Sequence, residues 1–236
     1  MTSDGGFIEP PAGPAVPLES PTLTQLLDLL REVNNQLSHI FHLRMVWRKT
    51  LEMLNANPAF QTDLPYFFAI VTELYATSQA AAVRRQIQDR GLAHRNMRRL
   101  LHDLELARTT ITRQWFRARY LGDPFSQALA DEVFDRFSLG GDTVAQAWID
   151  FARRWLEVVS GNVRQYVDLR IAHEDHSSPV VIPTFAELDA VLEALGEVDR
   201  QLHLLLLGAD LDGPEPIIPF NWAAGLEVPW YTPTGE

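Results

Sequence analysis

Apolar residues recur at intervals of three and four along most of this chain, which is the spacing of helices packed through one face. The pattern runs from Leu26 to Leu51, from Phe67 to Val83 and from Leu188 to Leu206. A β-branched run at Val180–Ile182 is too short to imply a sheet. We therefore expect an all-α fold, arranged as an antiparallel helical bundle.

Capping residues predict where several helices begin. Thr22–Gln25 and Thr184–Glu187 each place a hydroxyl three residues before a long side chain with an acceptor oxygen, as in a capping box. Asp63–Pro65 and Asp123–Pro124 combine an N-cap residue with a proline in the first turn. The first helix is long enough that a break around Ser38–His42 is one expectation for it.

The pattern also predicts two long helices near the C-terminal end of the bundle. They should cover about 143–173 and 184–207, and the ten-residue connection between them favours antiparallel packing. Gly140 and Gly141 should end the preceding helix, and Asp142 or Thr143 should cap the next one.

Composition divides the chain into three parts. Residues 1–21 contain five prolines and three glycines and are expected to form a disordered arm. Residues 22–208 form the helical domain. Residues 209–236 contain five prolines together with Trp222 and Trp230, so we expect an extended tail that folds back onto the helices.

The cysteine count and the lengths of the apolar stretches limit the class of protein. The 236 residues include no cysteine, which excludes disulfides and thiolate metal sites. No basic segment followed by an apolar run stands at the N-terminus, and no apolar stretch approaches the ~20 residues of a membrane span. We therefore expect a soluble, cytoplasmic protein that does not enter a membrane.

Charge is distributed unevenly. The formal net charge of -11 argues against a protein that coats nucleic acid. Between Arg84 and Arg119, however, ten arginines stand against three acidic residues. This segment either faces phosphate or pairs with acidic helices of the same fold, and sequence leaves both interpretations open.

One helical stripe turns polar just before its helix should stop. Trp148, Ala152, Trp155 and Val159 mark the core-facing side, and an unbroken helix would continue that side through Asn162, Tyr166, Arg170 and His173. Unpartnered polar groups cost about 1–3 kcal/mol each when buried. The helix end therefore holds either a satisfied polar network or a functional site.

The segment Arg170-Ile-Ala-His173-Glu-Asp-His176, followed by a helix that Pro-Thr initiates, resembles the HEPN superfamily, in particular its bacterial abortive-infection members. The earlier segment from Pro65-Tyr-Phe-Phe to Arg84-Arg85-Gln-Ile-Gln-Asp89 adds to the likeness. The resemblance covers most of residues 24–208.

The resemblance implies a metal-independent ribonuclease or an RNA-binding protein of a bacterial defence or toxin–antitoxin system. Such a ribonuclease needs no metal or other cofactor, because the 2′-hydroxyl of RNA is the nucleophile. Arg170 would hold the scissile phosphate, and His173 or His176 would act as acid and base. The supporting residues would be Tyr166, Asp168 and Asn162. The weaker candidates for RNA contact are Arg84, Arg85, Arg95, Arg98 and Arg99.

The spacing of the motif leaves two interpretations open. Five residues separate Arg170 from His176, which fits the family's interval of four to six, but only two separate Arg170 from His173. The alternative is a non-catalytic helical interaction or scaffold protein, in which the polar residues fasten the helix end to its neighbours.

The resemblance also implies partners. HEPN domains usually pair through the helices that bear the motif, so we expect a homodimer, and an antitoxin or defence-system protein is a further expected partner. A second apolar stripe, formed by Leu156, Val163, Val167 and Ile171, supports the dimer, because a monomeric surface helix needs one apolar stripe.

Overall fold

The computed structural model describes residues 21–56, 65–89, 93–120, 124–172 and 182–209. Across these ranges the chain forms eight α-helices and one π-helical segment, and no strand. In chain order they are α1 (Leu23–Ala56), α2 (Pro65–Ile87), α3 (Met97–Ala107), α4 (Arg113–Arg117), α5 (Pro124–Ser138), α6 (Gln146–Val159), α7 (Gly161–Tyr166), the π-helical segment (Val167–Ala172) and α8 (Phe185–Leu207). The predicted all-α class is confirmed, while the antiparallel, HEPN-like arrangement stays a prediction.

Helix α8 is the centre of the core. It contacts α1, α2, α6 and α7. Leu204, Leu205 and Leu206 are buried although they follow one another, so α8 is covered on most sides near its end, and the next residue, Leu207, is 39% exposed. Burying one such side chain contributes about 1.5–3 kcal/mol relative to leaving it exposed. The long apolar run of the last helix, rather than the polar end of the preceding one, organises the bundle.

Both predicted capping boxes form. At the start of α1, the backbone N–H of Thr22 donates to Gln25 Oε1 at 2.8 Å and the Gln25 N–H donates to Thr22 Oγ1 at 3.3 Å. At the start of α8, the same exchange joins Thr184 and Glu187, at 2.7 and 3.2 Å. Each box satisfies backbone donors that the first helical turn leaves free.

Three predictions of helix boundaries are wrong, one of which is the single helix over about 143–173, because the structure divides it into α6, α7 and the π-helical segment. Helix α1 runs through Ser38–His42 without a break, because Leu37, Ile40 and Phe41 are buried in register there. Helix α6 is not capped by Asp142 or Thr143. It begins at Gln146, and Ala145 occupies the N-cap without a side-chain hydrogen bond.

The late start of α6 has a local cause. Thr143 forms an isolated antiparallel bridge with Thr112, and the next residue, Val144, is fully buried. The chain therefore stays extended after the turn at Leu139 and Gly140, which have φ angles of 53° and 84°. The predicted break at the two glycines is confirmed, and the bridge delays the next helix by one turn.

The C-terminal end of α8 is held by an arginine. The guanidinium of Arg119 donates to the carbonyl oxygens of Leu205 and Leu206. Its carbon lies 3.9 Å from the ring centroid of Trp115, a cation–π contact. Gly208 then ends the helix at φ 68°, in the left-handed region that glycine adopts without steric cost.

Several expectations fall outside the described residues. The predicted arm over 1–21 and tail over 209–236 are described only at Pro21 and Ala209, and the N-cap positions Asp63 and Asp123 are not described. Of the helices that are described, none combines the length and apolar character needed to cross a membrane.

Candidate functional site

The stretch that the sequence marked as functional lies where α7 passes into the π-helical segment. A π-turn contains more residues than an α-turn, so side chains beyond Val167 no longer follow the predicted α-helical stripe. Asn162 is exposed, whereas Tyr166 and Arg170 are half-buried. His173 and His176 lie outside the described residues, so their pairing with Arg170 stays a prediction.

Asp168 belongs to a polar network between this segment and α2. Its Oδ1 accepts from Arg84 Nε at 2.6 Å and its Oδ2 accepts from Gln88 Nε2 at 2.9 Å. Arg84 also donates to Asp89 at 2.9 Å. The hydrogen bond to Asp168 raises the pKa of Arg84 above its ordinary value, so the guanidinium remains charged. Arg84, predicted to contact RNA, and Asp168, predicted to support the catalytic site, are thus bound to each other.

Asn162 is engaged elsewhere. Its side-chain amide donates to Glu187 Oε1 at 2.7 Å, joining α7 to the capping box of α8. The backbone N–H of Thr184, and then the amide of Asn162, lower the pKa of Glu187. Asn162 therefore positions the start of α8, and the structure does not bring it together with Asp168.

Tyr166 lines an apolar groove between α2 and the start of α8. The groove has a volume of about 440 Å³. Besides Tyr166, its walls include Phe68, Thr72, Ala76, Ile182, Phe185 and Leu188. On another face of α2, Tyr66 is 79% exposed and Leu74 is 65% exposed, with Phe67 and Ile70 also exposed, but none of these four side chains lines the groove. Large apolar side chains on one helix surface are typical of a binding surface.

Many arginines of the basic segment pair with acidic residues of the same fold. Arg99 binds Asp103 at 2.6 Å, and Arg113 and Arg117 bind acidic residues of α5. Arg95 donates to the carbonyl of Asp28 at 3.5 Å, while Arg85 is exposed. Arg98 has no ion pair within the described part of the chain. For these paired arginines, the structural interpretation of the segment is supported.

The second apolar stripe is not a surface. Leu156, Val163 and Val167 are buried within the core of the single chain, because α2, α3 and α8 pack against the helices that carry them. The argument that this stripe needs a dimer is therefore wrong. The exposed side of α6 carries Phe151 and Val158 instead, which are 66% and 73% exposed.

Sequence reasoning also missed a buried arginine beside the groove. Arg44 is 3% exposed, and its guanidinium reaches Asp189 and Glu193 of α8, each at 2.7 Å. Burial lowers the pKa of Arg44, but hydrogen bonds to Glu193 and Asp189 more than offset this, so its pKa is raised. The signal was present in the sequence, since Arg44 stands three residues after Phe41 in the apolar stripe.

Next to this arginine, three aromatic rings stack. Trp47, Tyr75 and Phe185 all contact one another: the ring centroid of Trp47 lies 4.8 Å from that of Tyr75 and 5.8 Å from that of Phe185, and the last two are 6.1 Å apart. Burial raises the pKa of Tyr75 to about 12, because the ionised ring would lose its hydration. The stack ties α1, α2 and α8 together at one end of the groove.

A second buried polar cluster joins α1 and α8 deeper in the core. Asp199 is 1% exposed and accepts from the amide of Asn34 at 3.0 Å. His203 Nδ1 lies 3.5 Å from the same carboxylate, and the other oxygen, Asp199 Oδ1, has no hydrogen-bond partner. Burial raises the pKa of Asp199, and His203 opposes the shift.

Comparison with known proteins leaves the chain without a family. No family model matches it, and neither a curated protein nor a solved structure does. Among the described residues, no group of three or more histidine, aspartate or glutamate side chains is placed to hold a metal ion. The resemblance to HEPN proteins therefore stays a prediction.

Proposed function

We propose that this chain is a non-catalytic helical interaction protein that binds an amphipathic helix of a partner protein in the groove between α2 and α8. The apolar groove of about 440 Å³, whose walls include Phe68, Phe185 and Leu188, carries this proposal. A groove between helices can take the apolar face of another helix. Glu73 in the groove and the net charge of -11 favour a partner helix with basic flanking residues.

The polar network supports the same function. Asp168 with Arg84, and Asn162 with Glu187, use their hydrogen-bonding groups to fix helix ends. Residues that are held within the fold in this way stabilise the walls of the groove, one of which carries Tyr166. A prearranged groove loses less conformational entropy when a partner binds.

Site-specific photo-crosslinking tests the groove. A benzophenone side chain in place of Phe68, which lines the groove, should capture one partner protein in cells, whereas the same group in place of Glu132, exposed on α5, should not. The captured protein, once identified and purified, should bind the chain, and Ala76→Trp should weaken that binding at least tenfold by filling the groove. Equal capture at Glu132, or unchanged affinity of Ala76→Trp, would count against the proposal.

The homodimer remains a proposal on a different surface. Phe151, Trp155 and Val158 lie on one face of α6, and the rings of the first two stack at 6.3 Å. In a two-fold pair of antiparallel α6 helices, Arg154 of each copy would approach Glu157 of the other, so the surface is self-complementary in charge. Covering it with a second copy removes the exposed apolar stripe from water.

Sedimentation measures this association. The wild-type chain should sediment as a dimer at micromolar concentration, and Val158→Glu should sediment as a monomer. Leu129→Glu, which places the same charge at an exposed apolar position of α5, should remain dimeric. A monomeric wild type at these concentrations would exclude the dimer.

Metal-independent RNA cleavage is the second candidate. It is favoured by the π-helical segment that holds Arg170, because π-turns occur frequently at functional sites. Purified chain should then cleave RNA in the presence of EDTA and leave 2′,3′-cyclic phosphate ends. Arg170→Ala and the double variant His173→Ala/His176→Ala should lose this activity, whereas Arg164→Ala on α7 should retain it. Intact RNA at high protein concentration would leave the interaction protein as the function.

A further inference from the structure

A cleft between the start of α1 and α3 gathers two histidines and two arginines. It has a volume of about 310 Å³ and is lined in part by His94, Arg95, Arg99 and His102. Arg95, Arg99 and His102 follow one another at intervals of four and three, which places them on one side of α3 and its N-terminal approach. The opposite side of α3 is buried through Leu100, Leu101 and Leu104.

The loop that carries His94 and Arg95 is held in place. The carbonyl of Arg95 accepts from Gln36 Nε2 at 2.8 Å, and the amide of Asn96 donates to the carbonyls of Arg85 and Asp89 at 2.7 and 3.1 Å. Asn96 also caps α3 by accepting from the N–H of Arg99 at 2.9 Å. The cationic side chains therefore extend from a fixed backbone, which lowers the entropic cost of binding a ligand.

The acidic groups of the cleft are already engaged. Asp103 accepts from Arg99 Nε at 2.6 Å, and Asp28 pairs with Arg31 at 3.0 Å. The two Nη nitrogens of Arg99 make no hydrogen bond within the part of the chain that the structure describes, and neither does the ring of His94. Arg95 donates to the carbonyl of Asp28 at 3.5 Å, so the Nη nitrogens of Arg99 and the ring of His94 are the donors that remain for a ligand.

We propose that this cleft binds a phosphate group. Guanidinium donors match two phosphate oxygens at once, and imidazole N–H groups can donate to a third. The backbone N–H groups of Met97 and Arg99 at the start of α3 are already bound by Gln86 and Asn96, so side-chain donors would hold the phosphate. The volume lies at the lower end of the about 300–1,000 Å³ typical of small-ligand sites, so it suits a phosphate with a small attached group.

Inorganic phosphate is the first probe. Its binding to the full chain is monitored by nuclear magnetic resonance of the histidine side chains. Phosphate at constant ionic strength should shift the signals of His94 and His102, whereas those of His39 and His42 on α1 should stay unchanged. Arg99→Gln and Arg95→Gln should each weaken binding at least tenfold. Arg98→Gln is the matched control, because Arg98 stands on α3 but does not line the cleft.

Two further probes distinguish the source of the phosphate. Adenosine monophosphate and a short single-stranded RNA should both compete with inorganic phosphate. Tighter binding of the mononucleotide identifies a nucleotide-type ligand, and tighter binding of RNA identifies a backbone contact. No shift of His94 and His102 at high millimolar phosphate, or an equal loss of binding in Arg98→Gln, would overturn the proposal. Circular dichroism of each variant confirms that it is folded.

Discussion

Arg44 and Asp189 are joined across α1 and α8 by a hydrogen bond of 2.7 Å, although the arginine is almost fully buried and the aspartate is partly exposed. This difference in burial determines how much unfolding free energy each substitution should remove. Asp189→Asn combined with Glu193→Gln leaves a buried guanidinium without a charged partner, so we expect a loss of about 3–5 kcal/mol in unfolding free energy. Urea denaturation measures it.

Arg44→Met gives the complementary prediction. Methionine keeps the apolar stem packed, and the two carboxylates, which are more exposed, can return to water. We expect a loss of less than about 2 kcal/mol. Arg48→Met is the control, since the exposed ion pair of Arg48 with Asp189 should contribute at most about 1 kcal/mol. A loss for Arg44→Met as large as that of the double variant would contradict this account.

Tyr75 should ionise well above the pH at which a tyrosine in an unfolded chain ionises. Five tyrosines contribute to the ultraviolet absorbance of tyrosinate, and burial raises the pKa of Tyr75 to about 12. Because this pKa is above the value of about 10 in an unfolded chain, the stability linked to Tyr75 is present below about pH 10 and lost as pH rises through the folded pKa. Rapid pH-jump absorbance should show a phase near pH 12 that Tyr75→Phe removes. Its persistence in Tyr75→Phe would assign the phase to another residue.

Because of Asp199, we expect the free energy of unfolding to depend on pH. Its folded pKa is raised by burial, so the stability linked to it is full below the unfolded pKa of about 3.9 and lost as pH rises through the folded value. Asp199→Asn removes the charge but can keep the hydrogen bond from Asn34. At neutral pH the variant should equal or exceed the wild type by about 1 kcal/mol, with a smaller dependence on pH. A large loss of stability in Asp199→Asn would show that the core needs a charged pair with His203.

Arg84 and Asp168 should be coupled in stability rather than in RNA chemistry. A double-mutant cycle with Arg84→Met and Asp168→Asn should give a coupling free energy of about 1 kcal/mol, since both side chains are partly exposed. Arg85→Met, at an exposed neighbouring position, should change stability by less than about 0.5 kcal/mol. Unchanged stability of Asp168→Asn together with loss of RNA cleavage would instead favour the catalytic interpretation.

Local patterns in the sequence predicted much of the fold. The Thr22 and Thr184 capping boxes form because a hydroxyl and a carboxylate or amide three residues apart satisfy each other's backbone without help from elsewhere. The class of fold follows from the apolar spacing alone. The capping boxes and the class of fold both depend on contacts within one or two helical turns.

The candidate site could not be predicted in the same way. The stripe through Tyr166 and Arg170 assumed an uninterrupted α-helix, whereas Ser160 separates α6 from α7 and a π-turn follows at Val167. Such a change of winding depends on tertiary packing that periodicity does not contain. The partner of Asp168 is likewise 84 residues away at Arg84, and only the folded chain brings them together.

The clamp of Arg119 on Leu205 and Leu206 also determines how the chain carries mechanical load. Tension applied beyond Gly208 reaches the last carbonyls of α8, and the guanidinium passes part of that tension to α4 in the middle of the sequence. Helix α8 is therefore braced at the end from which it would otherwise unwind. Separating the end of α8 from the bundle therefore requires the hydrogen bonds of Arg119, two residues beyond α4, to break.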